Sequence, residues 1–326
     1  MTARQNLISL AVGAVSLLGL MASASAAEKV RVVLDWAYIP YHAPFLMALD
    51  RGIYKDAGLD VDIEEGKGSA NSAIVVGAGN FDIGHINITN ATQAIGKDVP
   101  LKVVAVYQHR SSASFVGIKG NVTLTGPDSL KGLKIGSTPG GSDALSLALF
   151  TKLNHIPMDQ LDVVSLNGPA KRAALLSKTV DVVSGDSHAY AAIVRGKGEE
   201  PVVLQLSDYG VPLLGFGFVA NTTFLKEHPD AAKKFLAATK KAFQVAVADP
   251  KAACEFIQSK KFVTGSLSQC VDYYTGLIKL SQSPTDPNWG HQGAEEWKKL
   301  VDTLKEAGSI KNDKPASAYY TNDYVP

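Results

Sequence analysis

Val30-Arg31-Val32-Val33-Leu34-Asp35-Trp36, with Tyr38, Tyr41 and His42 close behind, is the stretch on which the fold turns. Val30 to Leu34 is an apolar run of strand length, and it ends in an aromatic-rich loop. An open α/β sheet binds its ligand outside the carboxyl ends of its strands. Three rings in such a loop point to capture of something small and flat.

Upstream, Arg4 supplies a positive start, Leu7 to Met21 is apolar but short for a bilayer span, and Ala24-Ser25-Ala26 is an A-x-A cleavage signal. Residues 1–26 are therefore expected to be a cleaved signal peptide, with export to the periplasm. No lipobox cysteine lies near the cleavage point. The formal charge is +1, and loss of Arg4 leaves the remainder near zero. That balance argues against nucleic acid and acidic membrane as partners. Cys254 and Cys270 are the two thiols. They either form a disulfide in an oxidising compartment or stand as separate buried groups; without a nearby His pair they do not make a zinc set.

Downstream, strand and helix signals alternate. Pro44 to Asp50 reads as a helix, Val61 to Glu64 as a strand, Gly68 to Val76 as a helix and Phe81 to Gly84 as a strand, with another at Leu101 to Tyr107. The pattern restarts at Phe115: strands at Lys134 to Gly136, Val163 to Leu166, Val180 to Val183 and Val202 to Leu206 alternate with helices. Such alternation implies βαβ units and mostly parallel sheets. Ala73 to Gly84 and Ala173 to Asp186 repeat one pattern, a helix, a tight turn and a short strand carrying an Asp. Two similar lobes follow from it. The helical C-terminal third has too little strand for its own sheet and is expected to pack on the first lobe. Lobe one is thus expected at 28–114 plus 219–326 and lobe two at 115–218, with a hinge of two crossings and a cleft between them.

Four stretches carry a family resemblance. Leu34-Asp35-Trp36 with His42 resembles the opening of the thiamine-pyrimidine-precursor binding proteins and the related eukaryotic pyrimidine synthases. Tyr320-Thr321-Asn322-Asp323-Tyr324-Val325-Pro326 is similar to the ending of that branch. Ala48 to Asp60 and Ser129 to Gly136 resemble elements shared more widely with sulfonate and nitrate binders. The resemblance implies an α/β, two-lobe, type II periplasmic binding protein fold. It also implies a solute-binding component of an ABC importer rather than an enzyme, with a small-molecule ligand, an inner-membrane permease as partner, a monomeric state and no cofactor. The synthases carry a clustered cysteine motif for iron, absent here. The pattern also departs from the precursor binders, since Tyr38, Ile39 and Tyr41 stand where they usually have Pro and Asn.

Candidate ligand residues follow from position. Trp36, Tyr38 and Tyr41 offer aromatic faces, worth about 0.5–1.5 kcal/mol per stacked pair beyond their area. His42 can donate or accept, and Asp35 either meets an amine or caps a helix. Ser69 and Asn71 after Gly68, and Gly140, Gly141 and Ser142, open helices whose free N–H groups accept anions or carbonyl oxygens. Asn87 and Thr89, with Asn90, follow the Phe81 strand; Asp186 and His188 hold the matching place in lobe two. The resemblance implies that an acidic group at Asp186 pairs with an exocyclic amine, whereas an anion carrier would need Arg110 or Arg172 in the cleft. Trp289 is expected to pin the tail and Trp297 to be core.

Overall fold

The computed structural model describes residues 27–326, so the expected signal peptide lies outside it. In chain order, the first part runs β1 (Glu28–Val33), α1 (Ala43–Asp50), α2 (Ile53–Asp56), β2 (Leu59–Glu64), α3 (Ser69–Gly77), β3 (Ile83–Asn87), α4 (Ile88–Gly96) and β4 (Leu101–Val106). The middle runs β5 (Ala113–Ile118), β6 (Lys134–Ser137), α5 (Ser142–Leu153), β7 (Asp162–Ser165), α6 (Gly168–Leu176), β8 (Val182–Asp186), α7 (Ser187–Arg195) and β9 (Pro201–Gln205). The last part is β10 (Phe216–Asn221), α8 (Thr222–Glu227), α9 (Pro229–Ala248), α10 (Pro250–Ser259), α11 (Leu267–Ile278) and α12 (Ala294–Glu306).

Two five-stranded sheets result, ordered β2-β1-β3-β10-β4 and β7-β6-β8-β5-β9. Numbered within each sheet, both read second, first, third, inserted, fourth, which gives the internal sequence repeat its physical meaning. The inserted strands, β10 and β5, are antiparallel to their neighbours, while β1 to β3 and β6 to β8 pair in parallel. Helix ends obey local chemistry. Pro44 sits in the first turn of α1, Gly52 turns the chain after it at φ 71°, and the side chain of Asn87 accepts the Thr89 N–H to cap α4.

Several boundaries differ from expectation. The chain joins the second sheet at Ala113, and all of β10 from Phe216 belongs to the first, so Ala113, Ser114 and Phe216–Phe218 change sides. The cause is pairing: Phe216 lies opposite Asn87 and Ser114 opposite Gly185. The Phe81 strand instead begins at Ile83 and runs through Asn87, which moves Thr89 and Asn90 from a loop into α4. The C-terminal third does not sit on the first lobe alone. Helices α9 and α10 pack on α1, whereas α11 packs on α7 of the second sheet. Glycine permits this: a side-chain carbon at Gly276 would come 2.7 Å from Cβ of His188. Arg195 adds hydrogen bonds of 2.8 and 3.0 Å to Asp272. Cys254 and Cys270 form a disulfide that joins α10 to α11. Trp289 and Trp297 are both fully buried, the former stacked on Tyr107. No helix among the described residues is long and apolar enough to cross a membrane.

Candidate functional site

A cleft of about 310 Å³ opens beyond the carboxyl ends of β1, β3, β6 and β8, between the two sheets. Of the sequence candidates, Asp35, Trp36, Tyr38, Tyr41 and Ser69 line it from the first side, with Asn87 at the end of β3. Gly141, Ser142 and Asp186 line it from the second. The two sides touch. A side-chain carbon at Gly68 would lie 2.7 Å from the carbonyl oxygen of Gly140, and one at Gly168 would lie 3.2 Å from the Trp36 ring. Tyr38 is held by its hydroxyl donating to Ile63 O at 3.1 Å and stands edge-on to Phe262.

Five candidates stand apart from the cleft wall. Asn71 points to solvent on α3. Thr89 is buried, its hydroxyl donating to Leu214 O at 3.0 Å. Gly140 supplies the backbone turn beneath the lobe contact. His188 is buried against Tyr273, with neither ring nitrogen hydrogen-bonded; burial lowers its pKa to about 3. His42 is fully buried and hydrogen-bonded to Asp35.

Behind the cleft lies a polar cluster centred on Asp35. Ile39 N–H donates to His42 Nδ1 at 3.3 Å, which leaves His42 Nε2–H to donate to Asp35 Oδ1 at 2.9 Å. His85 Nδ1 approaches the same oxygen at 3.2 Å without hydrogen-bond alignment, and His85 Nε2 meets the Tyr107 hydroxyl at 2.7 Å. The Tyr41 hydroxyl donates to Asp35 Oδ2. Burial acts to raise the Asp35 carboxyl, but His42 and His85 outweigh it and hold Asp35 well below the usual carboxylate range. Asp35, His42 and His85 are also the one group among the described residues with three metal-ligating side chains in reach of one another.

The second wall is built differently. Burial raises Asp186 to about 6, against the Ser112 hydroxyl that donates to it at 2.5 Å; the charges of Asp35 and Asp143 raise it further and Lys171 opposes them. Lys171 donates to Asp143 Oδ2 at 2.6 Å and to Ser184 O at 2.9 Å, beneath the Tyr190 ring. Asp143 also accepts the Thr138 N–H at 2.8 Å, so its carboxylate fills the turn that opens α5. Lys171, Asp143, Tyr190 and Tyr273 were not among the sequence candidates. Tyr190 stands one helical turn after Asp186, a spacing that could have flagged it; nothing local marks Tyr273.

Comparison with known proteins agrees with this architecture. The chain is 25% identical to a 4-amino-5-hydroxymethyl-2-methylpyrimidine phosphate synthase, THI11, of Saccharomyces cerevisiae, over 91% of this chain and 88% of the relative. It is 24% identical to a formylaminopyrimidine-binding protein of Halalkalibacterium halodurans, over 86% of this chain and 85% of that one. The alkanesulfonate-binding protein SsuA of Xanthomonas axonopodis pv. citri, solved bound to MOPS, superposes with a TM-score of 0.70 at 13% identity, over 91% of this chain and 99% of that one, and shares the periplasmic binding protein fold. The NMT1/THI5 like family matches residues 39–253, and this chain belongs to it.

Proposed function

We propose that this protein is the extracytoplasmic solute-binding component of an ABC importer. It takes up a small planar heteroaromatic, with a thiamine pyrimidine precursor as the leading candidate, and closes on it by hinge motion. The observation that carries this reading is the cleft itself, with the Trp36 ring and the Tyr41 and Tyr273 phenols facing a space of about 310 Å³. Such a volume suits a single small ring system. The bacterial relative named as a formylaminopyrimidine-binding protein supports the ligand class. Ligand-dependent closure would present one conformation to a permease, which requires tighter ligand binding by that conformation.

Anion capture, the other binding reading, is opposed by the site's charge. Asp143 places an acid in the first turn of α5, the helix end that would accept an anion, and Asp186 adds a second acid. Arg172, which an anion carrier would need in the cleft, does line it while remaining exposed to solvent, and Arg110 binds Asp208 at 2.6 Å. Catalysis, suggested by relatives named as synthases, is the second reading. Both cysteines are tied in the Cys254–Cys270 disulfide, so no thiolate is free to hold iron as the clustered cysteine motif would.

Isothermal titration of the mature chain with 4-amino-5-hydroxymethyl- and 5-aminomethyl-2-methylpyrimidine tests the proposal, alongside mass spectrometry of ligand copurified with it. Stoichiometric binding without turnover is expected. Absence of binding by both compounds overturns the pyrimidine assignment, and conversion of either overturns the assignment as a carrier.

A further inference from the structure

Helix α11 is attached to both lobes, and the two attachments differ in kind. On the first lobe it is bonded: the Cys254–Cys270 disulfide joins it to α10, which packs on α1, and α11 also meets the turn Pro40–His42. On the second lobe it only rests against α7, a helix that packs on β5, β8 and β9. Hinge opening carries α7 away with its own sheet, while the disulfide keeps α11 with the first lobe. The α7–α11 contact is then a seam that parts whenever the cleft opens.

The seam is closely fitted around a buried histidine. Gly276 of α11 leaves the space that His188 of α7 fills, since a side-chain carbon there would stand 2.7 Å from the His188 Cβ. Tyr273 of α11 meets the imidazole edge-on at 5.2 Å between ring centres. Neither ring nitrogen finds a hydrogen-bond partner among the described residues, a state that costs free energy until water reaches the ring. Arg195 and Asp272, the charged residues of α7 and α11, bind each other across the seam at 2.8 and 3.0 Å. Of the other elements packed on α7, β5 and β9 carry no titratable side chain. Helix α6 brings Lys171, bound to Asp143, and Arg172 at the cleft, and β8 ends in Asp186. No charge among these offsets burial at His188, whose pKa falls to about 3.

We propose that the α7–α11 seam is an acid-sensitive latch, which helps to hold the lobes closed while the His188 ring is neutral and lets them part when that ring takes up a proton. This rests on the hinge reading above and adds a pH switch to it. An imidazole in water titrates near 6.5. Above that pH the ring is neutral in both forms, and the seam closes with no proton to expel. Between about pH 3 and 6.5 closure must strip the proton from His188, so opening is favoured as the pH falls. From pH 7.5 to 5 this weakens closure roughly thirtyfold. Asp186 acts in the opposite direction, because its carboxyl, raised to about 6 in the closed cleft, takes up a proton there and eases closure in acid.

The test compares the parent protein with His188→Phe, which keeps a ring against Tyr273 and has no proton to gain. Both are titrated by calorimetry with 4-amino-5-hydroxymethyl-2-methylpyrimidine at pH 7.5 and at pH 5. The ratio of the two affinities cancels the titration of the compound and of Asp186. Because binding depends on closure, the ratio of variant to parent should rise roughly thirtyfold on acidification. A ratio that changes less than threefold overturns the latch and leaves the pyrimidine reading intact. If circular dichroism shows that His188→Phe does not fold, Gly276→Ala takes its place. Its added carbon pushes α11 off His188 and should weaken binding at pH 7.5 at least fivefold; unchanged affinity overturns the role of the seam in closure. If the pyrimidine does not bind, that reading falls, and the latch is read in the empty protein. Small-angle X-ray scattering should then show the parent more expanded than His188→Phe at pH 5 and not at pH 7.5, and equal radii at pH 5 overturn the latch.

Discussion

Asp186 illustrates how one side chain's surroundings set both its protonation and its cost to the fold. Its carboxyl is raised from 3.8 to about 6 by burial and by the neighbouring acids. A raised carboxyl is penalised only where it must ionise in the fold. The penalty is absent below about pH 4, where folded and unfolded chains both hold the proton. It grows between about pH 4 and 6 and is complete above about pH 6. Asp186→Asn should therefore raise the stability of the unliganded protein at pH 7.5 by about 1–3 kcal/mol and change it little at pH 4. Calorimetric melting at the two pH values checks this, and an equal gain at both would show that ionisation is not the cause. Asp186 and Trp36 were readable in the sequence because each follows a strand, where an α/β sheet exposes its ligand groups. His42 and His188 carry the same chemistry in the sequence, yet both are buried away from the cleft lining. Nothing local tells a histidine that reaches a ligand from one that serves a neighbour.

At the scale of elements, α10 and α11 act as a brace. The Cys254–Cys270 disulfide spans a separation of 16 residues, and the segment between includes Phe262, set against Tyr38, and Thr264 at the cleft. Cys270 and Gln269 line the cleft as well. Cross-linking a loop of this size is worth roughly 3 kcal/mol through the unfolded chain. Paired Cys254→Ser and Cys270→Ser substitutions should lower stability by about 2–3 kcal/mol and weaken ligand binding along with it. Urea midpoints and titration calorimetry measure the two effects, and an unchanged midpoint would show that the cross-link carries no stability. The alternation of strands and helices was plain in the sequence because periodicity is local. The attachment of α11 to α7 was not, because it depends on the missing side chain of Gly276 meeting His188, 88 positions earlier in the chain.

For the molecule as a whole, Gly68 meets Gly140 across the cleft, and the proposed hinge closure would bring the lobes together at this point. Gly68 has φ 109° and no room for a side-chain carbon, which would stand 2.7 Å from the opposing carbonyl oxygen. Gly68→Ala should lower stability, because φ 109° strains an L side chain, and should also hold the lobes apart and reduce ligand affinity at least tenfold, about 1.4 kcal/mol. Small-angle X-ray scattering should show that ligand no longer contracts the variant as it does the parent protein. Contraction and affinity like the parent's would mean that the lobes do not meet at this point in the liganded state.

The amino-acid order alone determined the succession of strands and helices, the doubling of one βαβ pattern and the presence of rings and an acid just past strand ends. These are properties of neighbours in the chain, written in spacings of two to four residues. Only the tertiary structure decided which strand is inserted antiparallel in each sheet, that Asp143 and Lys171 neutralise each other, and that Asp35 and Asp186 share one cleft. Those outcomes depend on packing between segments far apart in the chain, where volume and charge, not sequence period, determine what meets.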